Sequence, residues 1–146
     1  MEVKDIVKPA VVVSESDTFE TALKAMNSQK TNTLLVVNDE GELSGEVTVV
    51  DLLDAIVPDT LDGNQVMEHF ADDKAFASSI DIARDIPVSE FMNADYSALE
   101  LTDTMMTIIA TALTHQRARI PVVNKDNRPV GIISRHGLKA VLGKYL

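Results

Sequence analysis

Apolar residues recur at two different spacings along the chain, and these spacings predict a mixture of helices and strands. In DTFETALKAMNSQ, apolar residues from Phe19 to Met26 recur at intervals of three and four, which places them on one face of a helix. Met105–Leu113 has the same spacing. Two short runs rich in β-branched residues, TLLVVN at Thr33–Asn38 and RIPVVN at Arg119–Asn124, are predicted to be strands.

Each predicted strand stops at a turn and is followed at once by a second apolar run. The turns are Asn38–Gly41 and Asn124–Asn127, and the second runs are Leu43–Val47 and Val130–Ser134. Because the link between the runs is short, each pair is predicted to be a β-hairpin. An extended leading segment precedes each first helix, and a closing helix follows each hairpin. The predicted unit is therefore β-α-β-β-α.

The unit is predicted twice because the sequence contains an internal repeat. GEVTVVD at Gly45–Asp51 corresponds to GIISRHG at Gly131–Gly137, at an offset of 86 residues. The same offset aligns Val36–Asn38 with Val122–Asn124, and an offset of 85 aligns the two leading segments. Agreement at several places along the chain indicates an internal duplication.

The repeat divides the chain into three predicted parts. Residues 1–57 form the first repeat, residues 58–87 a spacer, and residues 88–146 the second repeat. The spacer carries seven acidic and two basic residues, and apolar residues on one helical face predict a short helix near Lys74–Arg84. The predicted fold class is α/β (α+β), with two β-α-β-β-α repeats related by pseudo-two-fold symmetry.

Helix-capping residues stand where the predicted helices begin. Thr48-x-x-Asp51 has the spacing of a capping box, in which the hydroxyl and the carboxylate satisfy free backbone N–H groups without any ligand. The second copy has Ser134 but carries Gly137 in place of the aspartate. Asp17 is predicted to be the N-cap of the first helix. Capping alone explains Thr48 and Asp51, but an acid at a cap can also face a cleft.

Composition excludes several classes of function. The chain has 146 residues and no cysteine, so disulfides, thiolate catalysis and zinc–thiolate sites are excluded. Its formal net charge of −10 argues against binding to nucleic acid. The longest mostly apolar stretch, Met105–Leu113, is too short to cross a bilayer, and we see no secretory signal. We therefore expect a cytoplasmic protein that neither binds nucleic acid nor inserts into a membrane.

Catalytic and metal-binding motifs are missing from the sequence. No phosphate-binding P-loop, nucleophile elbow or dinucleotide glycine motif occurs. The histidines His69, His115 and His136 are scattered. His69 with Asp72 and Asp73 could form a weak divalent site, although acidic spacers usually face water. We expect no enzyme activity and no metal.

The two repeats resemble a tandem pair of cystathionine-β-synthase (CBS) domains, also called a Bateman module. The resemblance covers roughly Val3–Val57 and Val88–Leu142, and it is carried by the PVV-type strand, the hairpin and the Gly-x-apolar-Thr/Ser-x-x-Asp phrase. Such modules bind adenosine nucleotides or other adenosyl ligands in clefts between the repeats and signal to a partner. The resemblance thus implies a regulatory module with AMP, ADP, ATP or S-adenosylmethionine as its ligand, a homodimer, and an unidentified effector protein.

The resemblance also implies where the ligand would bind. A carboxylate at Asp51 can accept hydrogen bonds from both ribose hydroxyls, and Thr48 with the helix start can reach the phosphate. Arg119 could stack or meet phosphate, or it could form a salt bridge on this acidic surface. The expected nucleotide-binding residues are Val47, Thr48, Asp51, Met92, Asn93, Ala94, Tyr96, Arg119, Ile120 and Pro121.

A second, weaker cleft is implied by the mirror-image set of residues. That set is Lys8, Pro9, Ala10, Val11, Thr33, Leu34, Leu35, Ser134 and Arg135. Because Gly137 offers no acceptor for a ribose, this cleft is expected to be empty, weak, or used for something else. The loss of one aspartate also supports an alternative function, a protein-interaction or assembly module with a vestigial pocket.

The closing helices carry candidates for a two-fold contact between chains. These are Leu52, Leu53, Ala55 and Ile56 in the first repeat, and Leu138, Val141 and Leu142 in the second. All seven could equally be ordinary core residues. Met105 and Met106 are predicted to lie in the core.

Overall fold

Two copies of one α/β unit make up the computed structural model, which describes residues 1–57, 64–65, 68, 72–117 and 119–146. The first repeat contains β1 (Val12–Ser14), α1 (Phe19–Gln29), β2 (Thr33–Val37), β3 (Leu43–Thr48) and α2 (Val49–Ile56). The spacer contains α3 (Asp73–Ala83), which begins and ends one residue earlier than predicted. The second repeat contains β4 (Leu99–Glu100), α4 (Met105–His115), β5 (Ile120–Val123), β6 (Pro129–Ile133) and α5 (Arg135–Gly143). The predicted β-α-β-β-α order is confirmed in both copies.

Each repeat forms a three-stranded sheet of the same topology. β1 pairs in parallel with β2, which pairs antiparallel with β3, and β4, β5 and β6 repeat this order. The registers are equivalent, since Val36 lies opposite Gly45 and Val122 lies opposite Gly131. The two copies of the repeated phrase therefore occupy the same place in their sheets.

The cap of α1 differs from the prediction by one residue. Thr18 is the N-cap, and its hydroxyl oxygen accepts a hydrogen bond from the Thr21 N–H at 3.2 Å. The prediction of Asp17 as N-cap is wrong, because its carboxylate accepts from the Ser14 N–H at 2.8 Å instead. Asp17 thus closes the turn after β1, and the hydroxyl beside it begins the helix.

The leading segments of the two repeats are exchanged. Val3, in the 3₁₀ turn that starts the first repeat, is fully buried in the core of the second repeat with Ile108. Val88, in the equivalent turn of the second repeat, is fully buried in the core of the first repeat with Phe19. Since each core includes a residue from the other repeat, the two repeats are predicted to fold as one unit.

Antiparallel backbone bridges hold the exchanged segments in place. Lys8 pairs with Ile132 on β6, with N–H to carbonyl distances of 2.9 and 2.8 Å. Asn93 pairs with Glu46 on β3 in the same way, at 2.8 and 3.0 Å. Each leading segment therefore adds a short bridge to the last strand of the other repeat.

The repeated phrase begins with glycine because the exchanged segment passes directly over that position. A Cβ on Gly131 would meet the Lys8 carbonyl oxygen and lie 2.6 Å from Val7 Cγ2. A Cβ on Gly45 would lie 2.8 Å from Met92 Sδ. A side chain at Gly131 would therefore push the two backbones apart. A side chain at Gly45 would displace Met92 and crowd the Asn93 carbonyl oxygen, 3.1 Å away.

A third hydrophobic cluster joins the two repeats. Leu35, Leu43 and Val123 are buried together, and Ala10 and Tyr96 pack against them. The Tyr96 hydroxyl donates a hydrogen bond to the Leu43 carbonyl oxygen at 2.8 Å. Because these residues come from both repeats, the cluster fixes the position of one sheet relative to the other.

The helix surfaces correct one prediction about the core. Met106 is 66% exposed on the outer side of α4, so its placement in the core is wrong. Leu52 and Ile56 do belong to the core of the first repeat, whereas Leu53 on the same helix is exposed. None of the helices in the described ranges has the length and apolar character needed to cross a membrane.

We predict that Gly131→Ala lowers the free energy of unfolding, because the new Cβ would collide with the Lys8 backbone. The expected cost is about 1–3 kcal/mol, the usual penalty for overpacking a tight contact. Gly143→Ala is the matched control, since a Cβ there has no neighbour within 4 Å. Urea unfolding of both variants measures the difference. Equal stability of the two would show that the exchanged segment does not constrain Gly131.

Candidate functional site

The repeated phrase of the first repeat forms a complete capping box at the start of α2. The Asp51 Oδ2 atom accepts hydrogen bonds from the Thr48 N–H at 2.7 Å and from the Thr48 hydroxyl at 3.1 Å. The Asp51 N–H donates back to Thr48 Oγ1 at 3.4 Å. The capping box predicted from the sequence is confirmed. Within the described residues, Asp51 Oδ1 makes no hydrogen bond, so it is free to accept one from a ligand.

Asp51 lies at the edge of a cavity of about 410 Å³, here called the Asp51 cleft. The cleft is formed by α2 on one side and by the leading segment of the second repeat on the other. Its lining residues are Asp51, Asp54, Ala55, Val57, Ile86, Glu90, Phe91 and Met92. Apolar side chains thus stand beside three carboxylates. This surface suits a flat apolar group that carries hydroxyls, and its negative charge opposes an anion.

Guanidinium groups gather in a second, smaller cavity of about 170 Å³, here called the arginine pocket. It is lined by Thr33, Thr48, Gln116, Arg117, Arg119 and Arg135. Arg119 Nη1 donates a hydrogen bond to Thr33 Oγ1 at 3.3 Å. Thr48 lines this pocket and is hydrogen-bonded to Asp51, which lines the Asp51 cleft. The two cavities therefore adjoin at the N-terminus of α2. Arginines and hydroxyls in this arrangement suit a phosphate.

A buried ion pair crosses from one repeat to the other beside the arginine pocket. Glu46 on β3 is 1% exposed, and its carboxylate pairs with the Arg117 guanidinium of the second repeat. Apart from this ion pair, neither carboxylate oxygen has a hydrogen-bond partner in the described part of the chain. Burial lowers the pKa of Arg117 from its ordinary value, but an arginine remains charged. The pair therefore fixes Arg117 at the wall of the pocket.

The structure brings six of the predicted site residues to these cavities. Asp51 and Met92 line the Asp51 cleft. Four more, from both predicted sets, line the arginine pocket, namely Thr33, Thr48, Arg119 and Arg135. Residues expected in two different clefts thus meet in one place, because Thr33 and Arg119 are equivalent positions on either side of the pseudo-two-fold axis.

The remaining predicted residues lie outside the two cavities. Val47, Ile120, Pro121, Leu34 and Leu35 are buried strand residues. Ala10 and Tyr96 belong to the cluster between the repeats, and Val11 packs against the first core. Lys8 and Asn93 use their backbones in the exchange bridges, Pro9 and Ala94 are exposed, and Ser134 caps α5.

Several cavity residues were not identified from the sequence. Phe91 lies in the leading segment of the second repeat, but nothing in the sequence pattern places it in a cleft. The sequence could have indicated Glu46, since it is an acid at the position where the second repeat has the apolar Ile132. No feature of the sequence indicates Arg117, because its surroundings depend on how the two repeats pack.

The position equivalent to Asp51 has room for a side chain. The Gly137 N–H donates to Ser134 Oγ at 3.0 Å, which is half of a capping box. A Cβ on Gly137 would lie 3.4 Å from Ser134 Oγ and 3.7 Å from the Ile6 carbonyl oxygen, which are ordinary contact distances. The glycine is therefore not required by packing.

A metal site is not formed by the described residues, among which no three potential ligands cluster. Asp72 caps α3 by accepting a hydrogen bond from the Ala75 N–H at 2.8 Å. The suggested weak site also needed His69, which lies outside the described residues.

Comparison with protein families identifies both repeats. The sequence model of the CBS domain matches residues 3–58 and 88–144. The magnesium and cobalt efflux protein CorC of Buchnera aphidicola from Acyrthosiphon pisum is 30% identical over 127 residues. That alignment covers 85% of this chain but 43% of CorC, so the chain spans less than half the length of this relative.

Solved structures share the fold over the whole chain. A CBS domain-containing protein from Bacillus anthracis has a TM-score of 0.79 at 19% identity, covering 100% of this chain and 95% of that one. CBSX2, a CBS-pair protein of Arabidopsis thaliana, has been solved in complex with AMP. That complex has a TM-score of 0.71 at 23% identity, covering 99% of this chain and 98% of that one. At these identities the likeness concerns the fold.

We predict that Arg117→Thr destabilises the protein strongly, because it leaves the Glu46 carboxylate buried and unpaired. The expected cost is about 3–5 kcal/mol. The double variant Glu46→Ile/Arg117→Thr should regain most of this loss, since it installs the residues that the other repeat has at the equivalent positions, Ile132 and Thr31. Urea unfolding of the two single variants and the double variant gives the coupling energy. Additive effects would show that the two groups do not interact.

Proposed function

This chain belongs to the CBS-domain family, and from that premise we propose that it is a regulatory module that binds an adenosine nucleotide or related adenosyl ligand between its two repeats. One observation carries the proposal: the α2 N-terminus separates a cleft with a free carboxylate oxygen from a pocket of arginines. A nucleotide has the matching order of parts, with a base and ribose at one end and phosphate at the other.

The base and ribose are assigned to the Asp51 cleft. Asp51 Oδ1 is free among the described residues, and one carboxylate oxygen can accept charge-assisted hydrogen bonds from ribose hydroxyls. Ile86, Phe91 and Met92 provide an apolar wall against which a heteroaromatic base can pack. The cleft volume of about 410 Å³ lies within the usual range for small-molecule sites.

The phosphate is assigned to the arginine pocket. The three carboxylates of the cleft would repel it, whereas the guanidinium groups of Arg119 and Arg135 would attract it. Arg117 is already neutralised by Glu46, so it contributes less positive charge than the other two arginines. The free N–H groups at the start of α2 favour an anion at the same place.

The relatives support this proposal at the level of the family. CBSX2, which shares the fold, has been solved with AMP. The CorC relatives are named as magnesium and cobalt efflux proteins, and this chain corresponds to part of their length. We propose that the module acts without catalysis, as a cytoplasmic homodimer, and that ligand binding is transmitted to an effector that is still to be identified.

We predict that AMP, ADP, ATP or S-adenosylmethionine raises the thermal unfolding midpoint of the wild type. A ligand at one hundred times its dissociation constant adds about 2.7 kcal/mol, which corresponds to a shift of about 5–10 °C for a chain of this size. In Asp51→Ala the shift should disappear, because the ribose loses its acceptor. The four ligands tested separately identify which one is bound.

The control must separate ligand binding from helix capping, since Asp51→Ala also removes a cap. Asp72→Ala is the matched control, because Asp72 caps α3 away from both cavities. It should lower the midpoint and leave the ligand-induced shift unchanged. The proposal fails if none of the four ligands shifts the wild type, or if Asp51→Ala shifts as much as the wild type. Either result would favour the assembly module with a vestigial pocket.

We predict that Gly137→Asp stabilises the protein and raises its capacity for ligand. The substitution completes the capping box with Ser134 and removes a helical glycine, a gain of about 0.5–1 kcal/mol in unfolding free energy. Isothermal titration calorimetry should show a stoichiometry that rises from one ligand per chain toward two. Gly143→Ala, which removes a helical glycine outside the clefts, should leave the stoichiometry at one. A stabilised Gly137→Asp protein that still binds one ligand would show that a carboxylate alone does not create the second site.

A further inference from the structure

A buried acid lies behind the wall of the arginine pocket. Glu46 and Thr48 are two residues apart on β3, so their side chains point to the same face of the sheet. Thr48 lines the pocket, whereas Glu46 is 1% exposed and pairs with the Arg117 guanidinium in the pocket wall. The Glu46 carboxylate therefore acts on any anion in the pocket across a single guanidinium group.

Backbone hydrogen bonds on both edges of β3 hold Glu46 in place. On one edge β3 pairs with β2, where Leu35 lies opposite Glu46. On the other edge, the Glu46 N–H donates to the Asn93 carbonyl oxygen at 3.0 Å, and the Glu46 carbonyl oxygen accepts from the Asn93 N–H at 2.8 Å. Because the strand is fixed on both edges, the carboxylate stays beside Arg117 when an anion enters the pocket.

Stability does not explain the ion pair between Glu46 and Arg117. The second repeat has Ile132 at the position of Glu46, and the first repeat has Thr31 at the position of Arg117. The same backbone is thus built without either charge. A buried ion pair is often no more stabilising than apolar residues in the same place, because both charges lose their hydration. An effect on the adjoining pocket explains the pair better.

The effect of Glu46 is to lower the positive charge of the arginine pocket. Arg117, Arg119 and Arg135 give the lining a formal charge of +3, and Glu46 reduces this charge to +2. A nucleoside monophosphate carries about two negative charges near neutral pH, and each further phosphate adds another. The pocket therefore balances one phosphate group, whereas a di- or triphosphate leaves negative charge without a partner.

The size and the surroundings of the pocket also oppose a longer phosphate chain. Its volume of about 170 Å³ is below the usual range of small-molecule sites, which suits a single group. The adjoining cleft presents the carboxylates of Asp51, Asp54 and Glu90. A further phosphate would have to extend toward these acids or into solvent.

We propose that Glu46 is a positioning residue that sets specificity: by occupying Arg117, it makes the pocket select a nucleoside monophosphate over a di- or triphosphate. This role rests on the nucleotide-binding function proposed above and adds the residue that limits the number of phosphates. Glu46 acts through Arg117 and the charge of the pocket. Removal of its charge should therefore strengthen the binding of the most highly charged nucleotide most.

Glu46→Gln tests this role, because it removes the charge and keeps an oxygen that can accept a hydrogen bond from Arg117. Isothermal titration calorimetry without divalent cations gives the dissociation constants for AMP, ADP and ATP at their full charge. The wild type should bind AMP more tightly than ATP. In Glu46→Gln the affinity for ATP relative to AMP should rise about tenfold, the effect of one further charge-assisted hydrogen bond. High salt should reduce this rise.

Two further variants separate the charge at the pocket from the net charge of the chain. Glu42→Gln is the matched control, since Glu42 precedes β3 at the end away from Thr48, where it accepts a hydrogen bond from the Asn38 side chain at 3.5 Å. It should leave the relative affinity unchanged. The double variant Glu46→Ile/Arg117→Thr removes both charges and keeps the pocket at +2, so its relative affinity should match that of the wild type. Urea unfolding checks that each variant is folded.

The possible outcomes distinguish the role of Glu46 from nucleotide binding itself. A folded Glu46→Gln protein that binds AMP with an unchanged relative affinity for ATP would overturn the role and leave the nucleotide module standing. A double variant that gains affinity for ATP as Glu46→Gln does would also overturn it. The wild type alone provides a test that needs no variant, since a preference for ATP over AMP would contradict the selection of a monophosphate. If the wild type binds none of the three nucleotides, the phosphate assignment to the arginine pocket fails, and the role of Glu46 fails with it.

Discussion

The exchange of leading segments is the constraint on which the rest of the structure depends. Val3 completes the core of the second repeat and Val88 completes the core of the first, so each repeat needs the other to bury its apolar surface. The exchanged segments then cross the last strand of each sheet at Gly45 and Gly131, where an added Cβ would collide with the crossing segment or crowd it. The Asp51 cleft exists because one of these segments continues past the N-terminal turn of α2.

The two repeats have equivalent backbones, but they carry different residue types at equivalent positions. The two hairpins have equivalent registers, yet Glu46 and Arg117 form a buried ion pair where the equivalent positions hold Ile132 and Thr31. Asp51 and Asp54 of the cleft correspond to Gly137 and Ala140 in the second repeat. The arginines of the adjoining pocket correspond to Thr31, Thr33 and Val49 in the first repeat. The same difference extends to the outer surface, where α2 is acidic and α5 is basic. The same duplicated backbone therefore carries different charges in its two halves.

The elements of the fold could be predicted because each depends on neighbouring residues. The β-branched runs, the turn residues and the spacing of apolar residues in α1 and α4 are local features, and the structure follows them closely. The misplaced cap at Asp17 is also a local matter, since the Asp17 carboxylate accepts from the Ser14 N–H before the helix while the Thr18 hydroxyl accepts from the Thr21 N–H inside it. Met106 is exposed because it lies off the apolar face that Ile108 and Ile109 help to form, and its apolar character alone did not show this.

The sequence by itself determined the duplication, the order of elements and the capping box of Thr48 and Asp51, because these depend on residues close together in the chain. Tertiary structure alone decided which side chains share a cavity. Arg117 pairs with Glu46 and shares a pocket with Thr33 only because the second repeat packs against the first. Such contacts join residues far apart in the sequence, and no local spacing records them.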